Sequence, residues 1–98
     1  MTACIVGWAH SKFGKLDGRD LESLIVEVAT SAIADAGLEP KDIDRIFIGT
    51  FNAGMDRQEF ISSLVLQASP DLRFTPVTRV ENACATGSAA IHQGIAAL

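Results

Sequence analysis

Apolar positions along the chain alternate between short continuous runs and longer stretches with helical spacing. The runs at Thr2–Trp8 and Arg45–Thr50 are typical of strands that are buried on both faces of a parallel sheet. Between them, Leu21–Ile33 has apolar residues every three or four positions, which predicts a helix with one apolar face. Asp20 is placed to cap the first turn of this helix, and Gly37 is placed to end it.

The same alternation continues through the second half of the chain. A shorter helical pattern covers Gln58–Ala68, and Pro76–Glu81 has the composition of a third strand. A polar turn at Asn82–Ala83 then leads into a helix that starts at or next to Cys84, with Asn82 as its predicted N-cap. The order is β-α-β-α-β-α, which predicts a layered α/β fold with right-handed crossovers and a mostly parallel sheet.

The last predicted helix has no charged face. No residue in Ala83–Leu98 carries a formal charge when His92 is neutral, and small residues dominate the stretch. Because a surface helix shows a charged face, this pattern predicts a central helix that is buried on all sides. Close packing of other backbones would explain Gly87 and Gly94, each of which costs about 1 kcal/mol of helix propensity relative to Ala.

Cys84 is the candidate nucleophile of the chain. In the first turn of a helix, free N–H groups and the positive end of the helix dipole stabilise a thiolate, which is the form that attacks electrophiles. Cys4 lies in the first predicted strand, where a cysteine is most simply a small buried hydrophobe. Two cysteines so placed do not form a disulfide framework, and they favour a reducing compartment of the cytoplasmic type.

Composition limits the classes of partner. Hydrophobic residues make up 48% of the 98 positions, and the mean hydropathy of +0.26 is high, so the chain has more apolar surface than a domain of this size can bury alone. A net charge of −4 argues against a nucleic-acid partner bound by charge. No apolar run is long enough to span a membrane, and Met1–Gly7 has no basic leader.

Other site chemistries find no support in the residue spacing. Gly49–Gly54 lacks the Lys and the spacing of a phosphate-binding loop. The cysteines and histidines are too scattered for a metal site, so neither a metal nor a bound cofactor is expected. Asp42 and Asp44 lie in a short turn and are more simply solvated charges than an acid–base pair.

The stretch Asn82–Ser88, NACATGS, resembles the nucleophile motif of the thiolase superfamily. It is similar in particular to the sterol-carrier-protein-X type and to the archaeal-type acetyl-CoA acetyltransferases. Ile5–Gly7 with Ser11–Gly14, and Asp42–Gly49, also resemble the start of a thiolase chain, so the resemblance runs along all 98 residues. Ketoacyl synthases share the fold and a cysteine at the same helix tip, and a condensing enzyme of that kind stays an alternative.

The resemblance implies an acyl-CoA C-acyltransferase. Cys84 would form an acyl-enzyme from acyl-CoA with its own backbone N–H in the oxyanion hole. Claisen condensation with acetyl-CoA, or thiolytic cleavage of a 3-oxoacyl-CoA in reverse, would follow. Coenzyme A thioesters are then the substrates, and no other cofactor is implied.

The resemblance also concerns residues other than the nucleophile. It implies that Met55 lines a reaction pocket near a subunit contact, while a loop residue packed on its own domain is an equal alternative. The family's activating His and its second Cys or His belong to the C-terminal half. His10 and His92 do not sit at motif positions, so neither is assigned a catalytic role.

The resemblance further implies that residues 1–98 are an incomplete N-terminal thiolase domain. The remainder and the C-terminal half would belong to a longer protein or to a second chain, since the last helix stops at Leu98 without a cap. The piece alone is expected to be inactive and to lack a stable monomer, because its last helix would be exposed.

The full protein is expected to be a homodimer or tetramer, with Pro76–Glu81 as the candidate interface strand. Its expected place is lipid metabolism in the cytoplasm, or in the peroxisome if the source is eukaryotic. A non-condensing, thiolase-like structural partner in an acyl-transfer complex is the alternative of another class. The thiol at a helix tip argues against it, because a scaffold has no need of one.

Overall fold

A computed structural model of the chain describes residues 2–51 and 56–98. In chain order, its helices and strands are α1 (Leu21–Asp35), β1 (Ile46–Gly49), β2 (Val77–Val80) and α2 (Thr86–Ala96). Short 3-10 helices lie between them at Pro40–Asp42, Ser62–Ala68, Pro70–Leu72 and Ala83–Ala85. The predicted α/β class is confirmed.

The sheet consists of β1 and β2, which pair in parallel. Ile46 lies opposite Val77, and Gly49 lies opposite Val80. Beyond the last pair, the N–H of Thr50 donates to the carbonyl of Val80 at 3.1 Å. A parallel pair needs a crossover connection, which here runs through the two central 3-10 helices, so the predicted parallel sheet is confirmed. Its carboxyl end leads directly into the turn that carries the candidate cysteine.

The predicted first strand, Thr2–Trp8, is wrong for this chain. The segment makes no strand ladder among the described residues. The N–H of Trp8 donates instead to the carboxylate of Asp35 at 3.0 Å. Gly7 approaches the end of α1 so closely that an added Cβ would lie 2.6 Å from the nitrogen of Ala36. The segment is therefore held by the end of α1. It forms no strand because it does not lie along the edge of the sheet, where backbone hydrogen bonds to another strand would be available.

The predicted helix over Gln58–Ala68 is shorter and tighter, because only Ser62–Ala68 is helical and its geometry is 3-10. Upstream, the Asp56 carboxylate accepts from the N–H of Gln58 at 2.7 Å, and the Gln58 side chain accepts from the N–H of Phe60 at 3.0 Å. Such local side-chain bonds compete with helical hydrogen bonds for the same N–H groups. They explain why the helix begins late.

The core is small. It lies where α1 packs against the 3-10 helix Ser62–Ala68, next to the sheet. Within the described part of the chain, its buried apolar side chains are those of Ile61, Val65 and Leu72, at 1%, 2% and 0% exposure. Among residues 2–51 and 56–98, the large apolar side chains left exposed are Ile5, Val6, Trp8, Phe13, Leu38, Phe51, Phe60, Phe74, Ile91, Ile95 and Leu98. Within these same ranges, neither α-helix has the length and apolar character to cross a bilayer.

Helix α1 begins and ends as its sequence predicts. The Asp20 carboxylate accepts from the N–H of Ser23 at 2.7 Å, and the Ser23 hydroxyl accepts from the N–H of Asp20 at 3.1 Å, which is a capping box. At the other end Gly37 has φ +71°, and the N–H of Leu38 donates to the carbonyl of Ile33 at 3.2 Å. This is a Schellman motif, in which glycine takes the left-handed position without strain.

The cap makes the stability of α1 depend on pH. The hydrogen bond from the backbone N–H of Ser23, followed by that from its side chain, lowers the pKa of Asp20. A carboxyl group with a lowered folded-state pKa stabilises the fold above its unfolded pKa of about 3.9, and this contribution is lost as the pH falls through the folded value. We expect Asp20→Ala to lower the melting temperature at neutral pH, and to lower it less at strongly acidic pH, where the protonated carboxyl group is a weaker hydrogen-bond acceptor.

Asp20→Asn is the matched control, since its side-chain oxygen still caps the helix but does not titrate in this range. Thermal unfolding followed by circular dichroism at both pH values measures the difference. An equal loss in Asp20→Ala at both pH values would show that the cap does not depend on the ionised carboxylate.

Candidate active site

Cys84 lies in the 3-10 turn Ala83–Ala85, which joins the carboxyl end of β2 to the start of α2. Its side chain is exposed. The α-helix itself begins at Thr86, so the helical region starts next to Cys84 as predicted, although its first turn is a 3-10 turn. The thiol is thus presented at the carboxyl edge of the sheet, which is where α/β folds place their sites.

Asn82 does not cap the helix, and that prediction is wrong. Its side chain makes no capping hydrogen bond, because the α-helix starts four residues later. Thr86 closes the turn instead: its hydroxyl donates to the carbonyl of Ala83 at 2.6 Å and accepts from the N–H of Asn82 at 2.9 Å. Thr86 is 7% exposed. Thr86 belongs to the NACATGS stretch, but its residue type alone did not indicate this structural role.

Ala83 adopts a left-handed backbone conformation with φ +44°. In this region the Cβ of an L-residue crowds the following carbonyl oxygen, at a cost of about 1–2 kcal/mol. Besides the two bonds of Thr86, two further hydrogen bonds hold the strained turn. The N–H of Ala83 donates to the Glu81 carboxylate, and the N–H of Ala85 donates to the carbonyl of Asn82 at 2.8 Å. The strain lies at the residue that immediately precedes the exposed thiol.

The N–H of Cys84 is free within the part of the chain that the structure describes. The neighbouring N–H groups of Asn82, Ala83 and Ala85 all have acceptors, whereas no acceptor is found for that of Cys84. A free N–H beside an exposed thiol is the arrangement that can donate to an oxygen developing negative charge on a carbonyl attacked by that thiol.

Gly49 allows α2 to approach the end of β1. A Cβ on this residue would lie 2.9 Å from the Cγ2 of Thr86, 3.2 Å from its carbonyl oxygen and 3.5 Å from the Cβ of Ala90. Only a residue without a side chain fits at this distance. No sequence pattern distinguished this glycine from one that ends a strand.

Helix α2 is not buried on all sides, contrary to the prediction. It packs against the sheet along one side, while Ile91 is 56% exposed and Ile95 is 49% exposed. A Cβ at Gly87 or Gly94 would meet nothing within 4 Å. The close packing expected at these two glycines is therefore not provided by any described residue.

The structure does not bring either histidine to the thiol. His10 packs edge-to-face against Trp8 and Phe13, with ring centroids 6.2 Å and 4.5 Å apart. His92 is exposed on α2, and no hydrogen bond joins it to Cys84 among the described residues. Over those residues, no three His, Cys, Asp or Glu side chains are grouped so as to hold a metal ion.

Cys4 was predicted to be buried and Met55 to line a pocket, and these two predictions have different outcomes. Cys4 is exposed rather than buried. The segment that carries it forms no strand, and Cys4 itself lines an open groove together with Ile91 and Ile95 of α2. Met55 lies outside the described residues. A second apolar groove, of about 400 Å³, lies between α1 and β1 and reaches Gly49 but not Cys84.

The chain is similar in sequence to a known protein family and to two named archaeal enzymes. The chain matches the family model "Thiolase, N-terminal domain" over residues 3–98. It is 44% identical over 92 residues to the acetyl-CoA acetyltransferase of Methanocaldococcus jannaschii, covering 93% of this chain and 23% of that protein. It is 40% identical over 95 residues to the acetyl-CoA acetyltransferase of Methanothermobacter thermautotrophicus, covering 96% of this chain and 24% of that protein.

A third relative has a different name. The chain is 45% identical over 51 residues to the steroid side-chain-cleaving aldolase of Thermomonospora curvata, covering 52% of this chain and 12% of that protein. The chain spans about a quarter of the length of the two acetyltransferases.

We expect Gly49→Ala to destabilise the fold by about 1–3 kcal/mol, because the new methyl group collides with the side chain and the backbone of Thr86. Chemical unfolding measures this change in free energy. Gly94→Ala on α2 is the control: its methyl group meets no described residue within 4 Å, so the gain in helix propensity makes it neutral or stabilising. Equal stability of wild type and Gly49→Ala would contradict the close approach.

Proposed function

The chain belongs to the thiolase family, and on that premise we propose that the whole protein is an acyl-CoA C-acyltransferase with Cys84 as its nucleophile. The observation that carries the proposal is the exposed thiol of Cys84 in the turn at the carboxyl end of β2. The two relatives named acetyl-CoA acetyltransferase support an acyl-CoA substrate. Residues 1–98 are then the first part of an N-terminal thiolase domain.

The first half-reaction transfers an acyl group to the enzyme. The Cys84 thiolate attacks the carbonyl carbon of an acyl-CoA thioester, and the carbonyl oxygen becomes an oxyanion. The free N–H of Cys84 donates a hydrogen bond to this oxyanion. When the intermediate collapses, the bond to the coenzyme A sulfur breaks, coenzyme A leaves and takes up a proton, and the acyl group stays on Cys84.

The second half-reaction forms or breaks a carbon–carbon bond. In the synthetic direction, a base removes a proton from the methyl group of acetyl-CoA, and the resulting carbanion attacks the acyl-enzyme carbonyl. Cys84 leaves as a thiolate and a 3-oxoacyl-CoA is released. In the reverse direction, coenzyme A cleaves a 3-oxoacyl-CoA thiolytically. Both directions use only coenzyme A thioesters and free coenzyme A.

This chemistry needs proton-transfer groups beside the thiol. Neither His10 nor His92 is bonded to Cys84 in the described residues, and the chain spans about a quarter of the length of its acetyltransferase relatives. We therefore assign the activating His and the second Cys or His to residues outside 1–98. Met55 stays a proposed pocket-lining residue, and a homodimer or tetramer stays the proposed assembly.

A second candidate is carbon–carbon cleavage of the aldol type, which the name of the Thermomonospora curvata relative supports. Aldol cleavage transfers no acyl group to a protein thiol. A base removes the proton of a 3-hydroxyl group, the carbon–carbon bond breaks to give an aldehyde or ketone, and the carbanion that leaves takes up a proton, so no nucleophile adds to a carbonyl. Under that mechanism Cys84 is dispensable as a nucleophile. The two candidates therefore differ in whether a covalent acyl group appears on Cys84.

We expect the full-length protein to gain an acetyl group on Cys84 when it is mixed with acetyl-CoA. Intact-mass spectrometry under denaturing conditions detects the group, and peptide mapping assigns it. Cys84→Ala removes the nucleophile, so it should take up no acetyl group and should lose synthetic and thiolytic turnover. Cys4→Ala is the matched control and should be acetylated like wild type.

Two results would overturn the acyltransferase proposal. The first is slow and equal labelling of Cys4 and Cys84, which would mean that neither thiol is activated. The second is full carbon–carbon cleavage activity in Cys84→Ala, which would favour the aldol mechanism.

A further inference from the structure

We propose that Thr86 is a positioning residue for Cys84, and that its hydroxyl group holds the turn from which the thiol and its N–H act. The inference deepens the proposed function and rests on it, because it assigns Thr86 a role in acyl transfer. Thr86 need not touch the substrate, since it acts through the backbone that precedes Cys84.

The Thr86 hydroxyl closes the Cys84 turn by bonding to two backbone groups that precede Cys84. It accepts a hydrogen bond from the N–H of Asn82 and donates one to the carbonyl of Ala83. Cys84 lies between these two residues and Thr86, so the loop closed by the hydroxyl contains it. At 2.6 Å and 2.9 Å, both bonds are well within the normal range for hydroxyl groups.

Packing prevents the hydroxyl from leaving this position. The Cγ2 methyl group of Thr86 lies against Gly49, at the point where an added Cβ would be only 2.9 Å away. Because threonine is branched at Cβ, placing the methyl group there also sets the direction of the hydroxyl. Thr86 is 7% exposed, so water has little access to replace either hydrogen bond. The sheet thereby orients the hydroxyl, and the hydroxyl holds the turn.

The turn needs this support because it is strained. Ala83 has φ +44°, a conformation that an alanine leaves when nothing holds it. Loss of the bond to the Ala83 carbonyl would let the residue relax toward an ordinary conformation. The sulfur and the N–H of Cys84, which follow directly in the chain, would then move together.

Such a movement affects the chemical step more than binding. The thiol must reach the carbonyl carbon while the N–H reaches the carbonyl oxygen, and a misplacement of about 1 Å can reduce a rate by about a hundredfold. Binding of the coenzyme A portion does not depend on this alignment. Removal of the hydroxyl should thus lower the maximal rate of acylation and leave the acetyl-CoA concentration for half-maximal rate unchanged.

The test uses Thr86→Val and Thr86→Ser in the full-length protein. Valine keeps the shape and loses the hydroxyl, whereas serine keeps the hydroxyl and loses the methyl group. Quenched-flow intact-mass spectrometry gives the rate of acetylation of Cys84 as a function of acetyl-CoA concentration. We expect the maximal rate to fall by about tenfold or more in Thr86→Val, and to fall much less in Thr86→Ser, which keeps the hydroxyl and loses only the methyl group that orients it.

Thr30→Val is the matched control, because it makes the same exchange on the exposed side of α1 and should leave the rate unchanged. If Thr86→Val does not fold, Thr86→Ala is compared with Thr86→Ser, and the difference between these two again reports on the hydroxyl.

Each remaining outcome decides the question. A normal rate in Thr86→Val, or a rate in Thr86→Ser as low as in the variant without a hydroxyl, overturns the inference alone. A loss that appears only as weaker acetyl-CoA binding also overturns it. Absence of acetylation in the wild-type protein overturns the proposed function and this inference with it.

Discussion

The contact between Thr86 and Gly49 is the constraint on which the rest of the site depends. It joins the start of α2 to the end of β1, and only a residue without a Cβ permits it. The same threonine closes the turn that carries Cys84. The side chain of Thr86 therefore connects the sheet, the helix and the turn that carries the thiol. The position of the sulfur thus depends on how closely the main chain at the start of α2 approaches the end of β1.

Features that depend on local sequence could be predicted. Asp20 with Ser23, and Gly37, specify the two ends of α1 through hydrogen bonds to their own neighbours. The strands Arg45–Thr50 and Pro76–Glu81 were predicted close to their observed limits, because short runs rich in β-branched and aromatic residues between turn residues are typical of strands. The position of Cys84 at the carboxyl end of a strand followed from the same patterns.

Features that depend on a distant partner could not be predicted. Thr2–Trp8 has the composition of a strand, but α1 holds it through Asp35. Burial of α2 was inferred from its lack of charge, yet composition does not show what covers a surface. The role of Thr86 was hidden because a threonine near a helix start has several local hydrogen-bonding options. The left-handed conformation of Ala83 could not be predicted either, because alanine rarely adopts a positive φ.

The register of the sheet determines whether α2 can dock on the end of β1. Gly49 stands opposite Val80, so a slip of one residue in the pairing would bring Ile48 or Thr50 to the level where α2 docks. Either side chain would occupy the space that the first helical turn requires, and the alternation of faces would be reversed. The docked position of α2 is thus compatible with this register and not with one shifted by a residue, so the turn that presents the thiol fits only a correctly aligned sheet.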